Sequence, residues 1–185
     1  MGQAFIGVDP DLHDTGIAIA TIDEVLWVGH AHVKTSLKGH DAVRAMINEI
    51  MALDSRRAQR KLPCWVESQR VYSRHQKANP NNLIHLAQVA GGAAAILDGK
   101  LIYPQDWKGQ VEKHVDQSRT YTHYGWKSTL VDKSKSKKDW YRVPINQGFD
   151  IKGSAWKHVG DALSICLWAA KEHEKRERRD AAKLR

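Results

Sequence analysis

The chain has 185 residues, 42% hydrophobic and 27% charged, and Lys+Arg 29 against Asp+Glu 21 leaves a formal net charge of +8. That length supports one domain with a full hydrophobic core unaided by disulfides or a structural metal, and no apolar run approaches the length of a bilayer span. The positive excess points to a polyanionic partner, nucleic acid being the commonest and an anionic membrane surface the other class, while the opening MGQAFIGVDP lacks a signal-peptide pattern, so the expected compartment is the cytoplasm.

Residues 4–9, AFIGVD, read as a strand. The turn PDLHDTG leads to a second strand over IAIAT, and the dipeptide ID turns into a third, EVLWVGHAHV, which together predict a three-stranded antiparallel meander. Between 39 and 60, Val43, Met46, Ile47, Ile50 and Met51 fall on one helical stripe. LPCWVES is a short, almost wholly apolar strand ending at Glu67, and its unbroken apolarity predicts cover on both faces. A turn at NPNN opens a helix through LIHLAQVAGGAAAIL, with Asn79 as its cap, Pro80 at the first helical position and Gly99 shortly after its end. The pair Gly91-Gly92 inside it either serves close packing or marks a loop.

KLIYP is one more strand, and QDWKGQVEKHV a short helix. The stretch from about 115 to 150 is polar, aromatic and too long for a simple connection, so it is expected to be an irregular, functional or mobile loop. From Ser154 a final helix runs apolar-faced at first and then highly charged, its last turns projecting into solvent or fraying. Cys64 and Cys166 stand far apart among apolar residues and read as reduced, buried thiols. Strands alternating with helices after a meander predict an α/β fold, a mixed sheet flanked by helices.

The basic residues cluster. RRAQRK at 56–61 is continued by Arg70, Arg74 and Lys77; DKSKSKK at 132–138 holds Lys133, Lys135, Lys137 and Lys138; and KEHEKRERRDAAKLR ends the chain. Any one of these reads as a solvated face. Three of them, interleaved with Tyr72, Tyr121, Tyr124, Trp126, Trp140 and Tyr141, suit nucleic acid, because aromatic faces stack on bases while cations meet phosphates.

Two carboxylates end apolar strands, Asp9 the first and Glu67 the fourth. If those strands lie side by side and run the same way, both acids emerge at one sheet edge. His158 and Asp161, three apart in the final helix, share a helical face. Hard divalent cations take oxygen ligands, and a pair of them binds the attacking and departing oxygens of a phosphodiester. Taken singly, each residue has a plainer use: Asp11 and Asp14 as turn residues, Glu67 as a surface acid at a strand end, HVGD as a solvated helix face. Neither cysteine has polar surroundings, and no serine sits in a nucleophile elbow.

FIGVDPDLHDTGIAIA resembles the first motif of RuvC-type Holliday junction resolvases, in which a strand ending in I-D-P-G is followed by a T-G-containing strand. WVESQ resembles their strand-end glutamate motif, NPNNLIHLAQVAGGAAA the helix that follows it, and HVGDALSICLWA the C-terminal D/H-x-x-D-A-L-x-I-A motif. The series spans most of the chain in the right order. The resemblance implies a single RNase H-like nuclease domain over 1–185, an α/β fold whose five-stranded mixed sheet has three antiparallel plus two parallel strands flanked by helices. It also implies a homodimer that nicks four-way DNA junctions symmetrically with Mg²⁺ or Mn²⁺, two ions per site. Asp9, Glu67, His158 and Asp161 fall on the metal-binding catalytic positions, and Lys108 and Lys113 resemble the basic residues near the cleaved phosphate. Tyr72 matches the aromatic that enters the junction, with Arg70, Arg74, Lys77, Lys133, Lys135, Lys137 and Lys138 as further DNA contacts, the last four in a long DNA-contacting loop at about 115–150. A basic helical tail is expected at about 171–185. Asp11 stands where the family commonly has glycine, and the 115–150 stretch is longer than usual; compact divergent members of this kind are typical of bacteriophages. Two other readings stay open: an RNase H-like nuclease acting on flaps, forks or RNA, and a non-catalytic DNA-binding scaffold.

Overall fold

The opening meander forms as β1 (Phe5–Asp9), β2 (Asp14–Ala20) and β3 (Val25–His32), each antiparallel to the next, in a computed structural model that describes residues 2–55, 62–68, 80–132 and 140–183. Helix α1 (Gly39–Ser55) leads toward β4 (Cys64–Glu67), which pairs parallel to β1, and α2 (Pro80–Ile96) toward β5 (Lys100–Ile102), which pairs parallel to β4. The strand order β3-β2-β1-β4-β5 is the expected mixed five-stranded sheet. Pro80 is the first helical residue of α2, as its missing N–H allows.

Side chains alternate along each strand onto the two faces, and in β2 this sorts them by size. Ile6 and Val8 of β1, Ile17 and Ile19 of β2, and Cys64 and Val66 of β4 pack on Val43, Met46 and Ile50 of α1 and on Val89, Ala90 and Ala93 of α2. The other face presents Gly7, Gly16, Ala18 and Ala20, and over it lies α5 (Trp156–Lys183), entered through a 3₁₀ turn at Gly153–Ala155. A Cβ at Gly7 would stand 2.1 Å from the Ala162 carbonyl oxygen, and one at Gly16 2.2 Å from the His158 carbonyl carbon. The backbone of α5 therefore rests directly on β1 and β2, a distance that only glycine at these two positions permits. Within α2 the Gly91-Gly92 pair is helical, and Gly92 makes room for the Ile47 side chain of α1. Met51 departs from the expected stripe and is exposed.

Two expectations for the second half of the chain are corrected. The single helix over 105–115 is instead α3 (Pro104–Trp107) and the start of α4 (Lys113–His123), separated where Gly109 takes a left-handed φ of 61° that no α-helix accommodates. Among the described residues, the stretch at 115–150 expected to be irregular holds most of α4 and an antiparallel pair of β6 (Lys127–Val131) with β7 (Tyr141–Ile145). Its polarity misleads because the buried side of α4 is itself polar: Gln117 and Thr120 are buried, and the Thr120 hydroxyl bonds the Ser164 hydroxyl at 2.7 Å. Three of the aromatics offered for base stacking, Tyr121, Tyr124 and Trp126, are spent on packing, and Tyr72 lies outside the described residues. Tyr121 is fully buried and rings of Trp126 and Trp156 surround it, with Tyr124 and Phe149 against Trp126. The last turns of α5 remain helical to Lys183. Both cysteines are buried thiols, and no helix among the described residues is long and apolar enough to cross a membrane.

Candidate active site

The parallel pairing of β1 with β4 sets Val8 opposite Val66, so Asp9 and Glu67, the final residues of the two strands, leave the sheet side by side at one edge. Alternation turns both toward the α5 face, since Val8 and Val66 belong to the opposite core. The close seating of α5 on Gly7 and Gly16 then lowers His158 and Asp161 onto them. The His158 Nδ1–H donates to Asp9 Oδ2 at 2.8 Å, and all four side chains are buried.

Two ammonium groups enter from the other side. Lys108, just past α3, places Nζ 3.5 Å from Asp161 Oδ2 and 3.9 Å from Glu67 Oε2. Lys113, the first residue of α4, places Nζ 2.9 Å from Asp161 Oδ2 and 3.9 Å from Asp9 Oδ2. Asp9, Glu67, His158, Asp161, Lys108 and Lys113, separated by up to 152 positions in the chain, are thus neighbours in space.

Burying three carboxylates together is costly, and the proton affinity of Glu67 records it. Burial, with the Asp9 charge adding to it, pushes the Glu67 carboxyl up to about 8 against the pull of Lys108. Burial works the same way on Asp9, but Lys113 and His158 outweigh it and hold that carboxyl below its ordinary value. Burial depresses both lysines, yet Asp161 with Glu67 raises Lys108, and Asp161 with Asp9 raises Lys113, above the usual range. Both lysines stay charged, whereas Glu67 in the ion-free protein keeps its proton at neutral pH.

Two positioning groups escaped the sequence reading. Trp107 Nε1–H donates to Glu67 Oε2 at 3.0 Å, and its ring lies 4.6 Å from Lys108 Nζ. Gln117, fully buried, donates from Nε2 to Asp161 Oδ1 at 2.8 Å and to the Lys157 carbonyl at 3.2 Å, while its Oε1 accepts the Arg142 N–H at 2.8 Å. Their signals were present: Trp107 precedes Lys108, and Gln117 lies one helical turn beyond Lys113. Asp11 is the expected turn residue, its Oδ1 accepting the His13 N–H at 3.2 Å. Asp14 is not a turn residue; it opens β2 and meets His30 and His32. Arg70, Tyr72, Arg74, Lys77, Lys133, Lys135, Lys137 and Lys138, expected on DNA, lie outside the described residues.

The donor chemistry fits a hard divalent ion. Three carboxylates with one imidazole, gathered around the two lysines where burial, with the charges of Asp9 and Asp161 adding to it, raises Glu67, are the oxygen-rich ligand types that Mg²⁺ and Mn²⁺ select, and a cation would favour the Glu67 carboxylate.

No family model and no curated protein matches the chain. Among solved structures, it is similar to RuvC of Thermus thermophilus with a TM-score of 0.54 and 14% identity, covering 90% of this chain and 92% of that one. It is also similar to the same organism's RuvC in complex with Holliday junction substrate, at a TM-score of 0.51 and 12% identity over 90% and 91% of the two chains. The fold is RuvC-like.

Proposed function

We propose that this protein is a metal-dependent, structure-selective DNA endonuclease that resolves four-way junctions by paired symmetric nicks. The observation that carries the reading is the convergence of Asp9, Glu67, His158 and Asp161 with Lys108 and Lys113 at one edge of a RuvC-like sheet in a strongly basic protein. The likeness to a RuvC bound to Holliday junction substrate supports branched DNA as the partner.

Asp9, Glu67, His158 and Asp161 are the groups that would hold Mg²⁺ or Mn²⁺, two ions per site. Bound there, such ions supply Lewis-acid activation of water and neutralise charge at the phosphodiester. The chain's own residues do the rest. The His158 Nδ1–H bond to Asp9 orients the imidazole and leaves Nε2 as the ring nitrogen that would serve as a ligand. Gln117 fixes Asp161 Oδ1 so that Oδ2 faces the lysines, and Trp107 fixes Glu67. Lys108 and Lys113 hold positive charge where a phosphate accumulates negative charge during cleavage. Paired nicks on opposite strands call for two such sites, hence a homodimer.

The test is nicking of a labelled, immobile four-way junction beside matched duplex, flap and fork, with Mg²⁺, Mn²⁺ or chelator. Paired junction nicks that need the ion are expected. Preferential cutting of flaps or forks moves the function to general debranching; tight junction binding with no cutting under any condition overturns the enzyme and leaves a scaffold.

A further inference from the structure

A second cluster of ligating atoms stands on the same sheet edge, outside the group described above. Asp14 opens β2, and the β2–β3 register sets it directly opposite His32, with Gly16 opposite His30. Residues 14 and 16 share one face of β2, residues 30 and 32 the matching face of β3, so all three side chains project on the α5 side. His30 Nε2 lies 3.0 Å and His32 Nδ1 2.9 Å from the same oxygen, Asp14 Oδ1, and the two rings stack at a centroid distance of 5.9 Å. The donor atoms all fall within 4.8 Å of one another. They border a cleft of about 490 Å³ whose other wall is the segment entering α5, through Asp150, Lys152 and Ser154.

We propose that Asp14, His30 and His32 form a binding site for a borderline-soft divalent cation of the zinc class, distinct from the acidic site. Two imidazoles and one carboxylate are the donor set such ions prefer, whereas Mg²⁺ favours oxygen alone. Tetrahedral ligands at about 2.0–2.1 Å from an ion stand roughly 3.3 Å apart. The observed spacings of 2.9 and 3.0 Å reach that value with side-chain movements of a few tenths of an ångström. Adjacent paired strands hold all three ligands, so the site is organised before the ion arrives. His32 is the most exposed ligand, and the cleft leaves the fourth coordination position open to water, to Asp150 or to an anionic oxygen such as a DNA phosphate. The trio hydrogen-bonds to itself in the absence of an ion, so the experiment must separate a self-satisfied cluster from a metal site.

Co²⁺ is the probe, because its visible absorption reports low-coordinate nitrogen and oxygen ligation. The full-length Asp161→Asn protein, with its acidic site impaired, is titrated with Co²⁺ in the presence of excess Mg²⁺, alongside the same protein carrying His32→Gln and then His30→Gln as well. One Co²⁺ per chain with visible bands, weakened at least tenfold by His32→Gln and abolished by the pair, is the expected result. Equal Co²⁺ binding in all three proteins, displacement of Co²⁺ by Mg²⁺, or no Co²⁺ binding to a folded Asp161→Asn protein each overturns the proposal. The exposure of His32 keeps its single variant folded, as a thermal melt would verify, and the readout is independent of whether the acidic site cleaves DNA.

Discussion

From Trp156 to Ala170, α5 is buried almost throughout, whereas from Lys171 to Lys183 the same helix runs largely exposed. The first half is held by packing on β1 and β2, and it carries His158 and Asp161, each provided with partners at 2.8–2.9 Å. The second half is held by helix propensity and by ion pairs at helical spacing, Lys175–Glu172 at 2.7 Å, Arg178–Glu174 at 3.5 Å and Lys183–Asp180 at 3.4 Å. An aspartate therefore means different things along one helix. Asp180 is solvated and replaceable, while Asp161 is tolerated only because Gln117, Lys108 and Lys113 satisfy it.

The sharpest way to break this contrast is Asp161→Asn. Loss of a bound-ion partner's support costs about 10–100-fold, and if Asp161 is a ligand of the proposed endonuclease its removal is expected to cost more than about 100-fold in nicking rate, with junction binding by gel shift within a few-fold of normal. Loss of binding together with nicking, in a protein that still folds, contradicts the assigned role.

Gly160→Ala comes next. Its Cβ would meet Tyr121 Oη at 2.4 Å and Gln117 Nε2 at 2.8 Å, so α4 must yield. Overpacking of this kind costs about 1–3 kcal/mol and, in a domain of this size, lowers Tm by several degrees; an unchanged melting curve would show that α4 is not seated on α5 as described.

The Glu67 carboxyl supplies a pH test. Its folded value of about 8 lies above the ordinary 4.5, so its contribution to stability is greatest below 4.5 and is lost as pH rises through 8. Ion-free protein should accordingly lose stability over that window in urea titrations, Glu67→Gln should flatten the loss, and saturating Mg²⁺ or Mn²⁺ should offset it by favouring the carboxylate. A pH-independent midpoint in chelator would contradict this assignment.

The smallest effect belongs to the tail. Lys175→Ala removes an exposed i,i+3 pair and is expected to change unfolding free energy by less than about 0.5 kcal/mol; a loss above about 1 kcal/mol would mean that the tail packs on something.

Much of this was legible before any coordinates. Alternation in FIGVD and TGIAIA marked strands, and the carboxylates closing FIGVD and CWVE marked the sheet edge at which a site forms. The α4 segment was not legible, because a helix that buries Gln117 and Thr120 instead of leucines has no apolar stripe to detect. Nor was the Asp14 cluster, since the pairing of Asp14 with His32 is a matter of strand register across 18 residues. Tyr121 was misread for the converse reason: an aromatic among polar residues looks available for stacking until the neighbouring helix covers it.

By itself the sequence determined the order of the five sheet strands with α1, α2 and α5, and the residue types able to hold a divalent ion, because these follow from local periodicity and from the chemistry of single side chains. Only the tertiary structure decided which groups meet. Gln117 reaches Asp161 across 44 positions and Trp107 reaches Glu67 across 40, and the proton affinity of Glu67 depends on that company. Coulombic and hydrogen-bond energies depend on separation in space, and chain folding sets that separation without leaving a local trace.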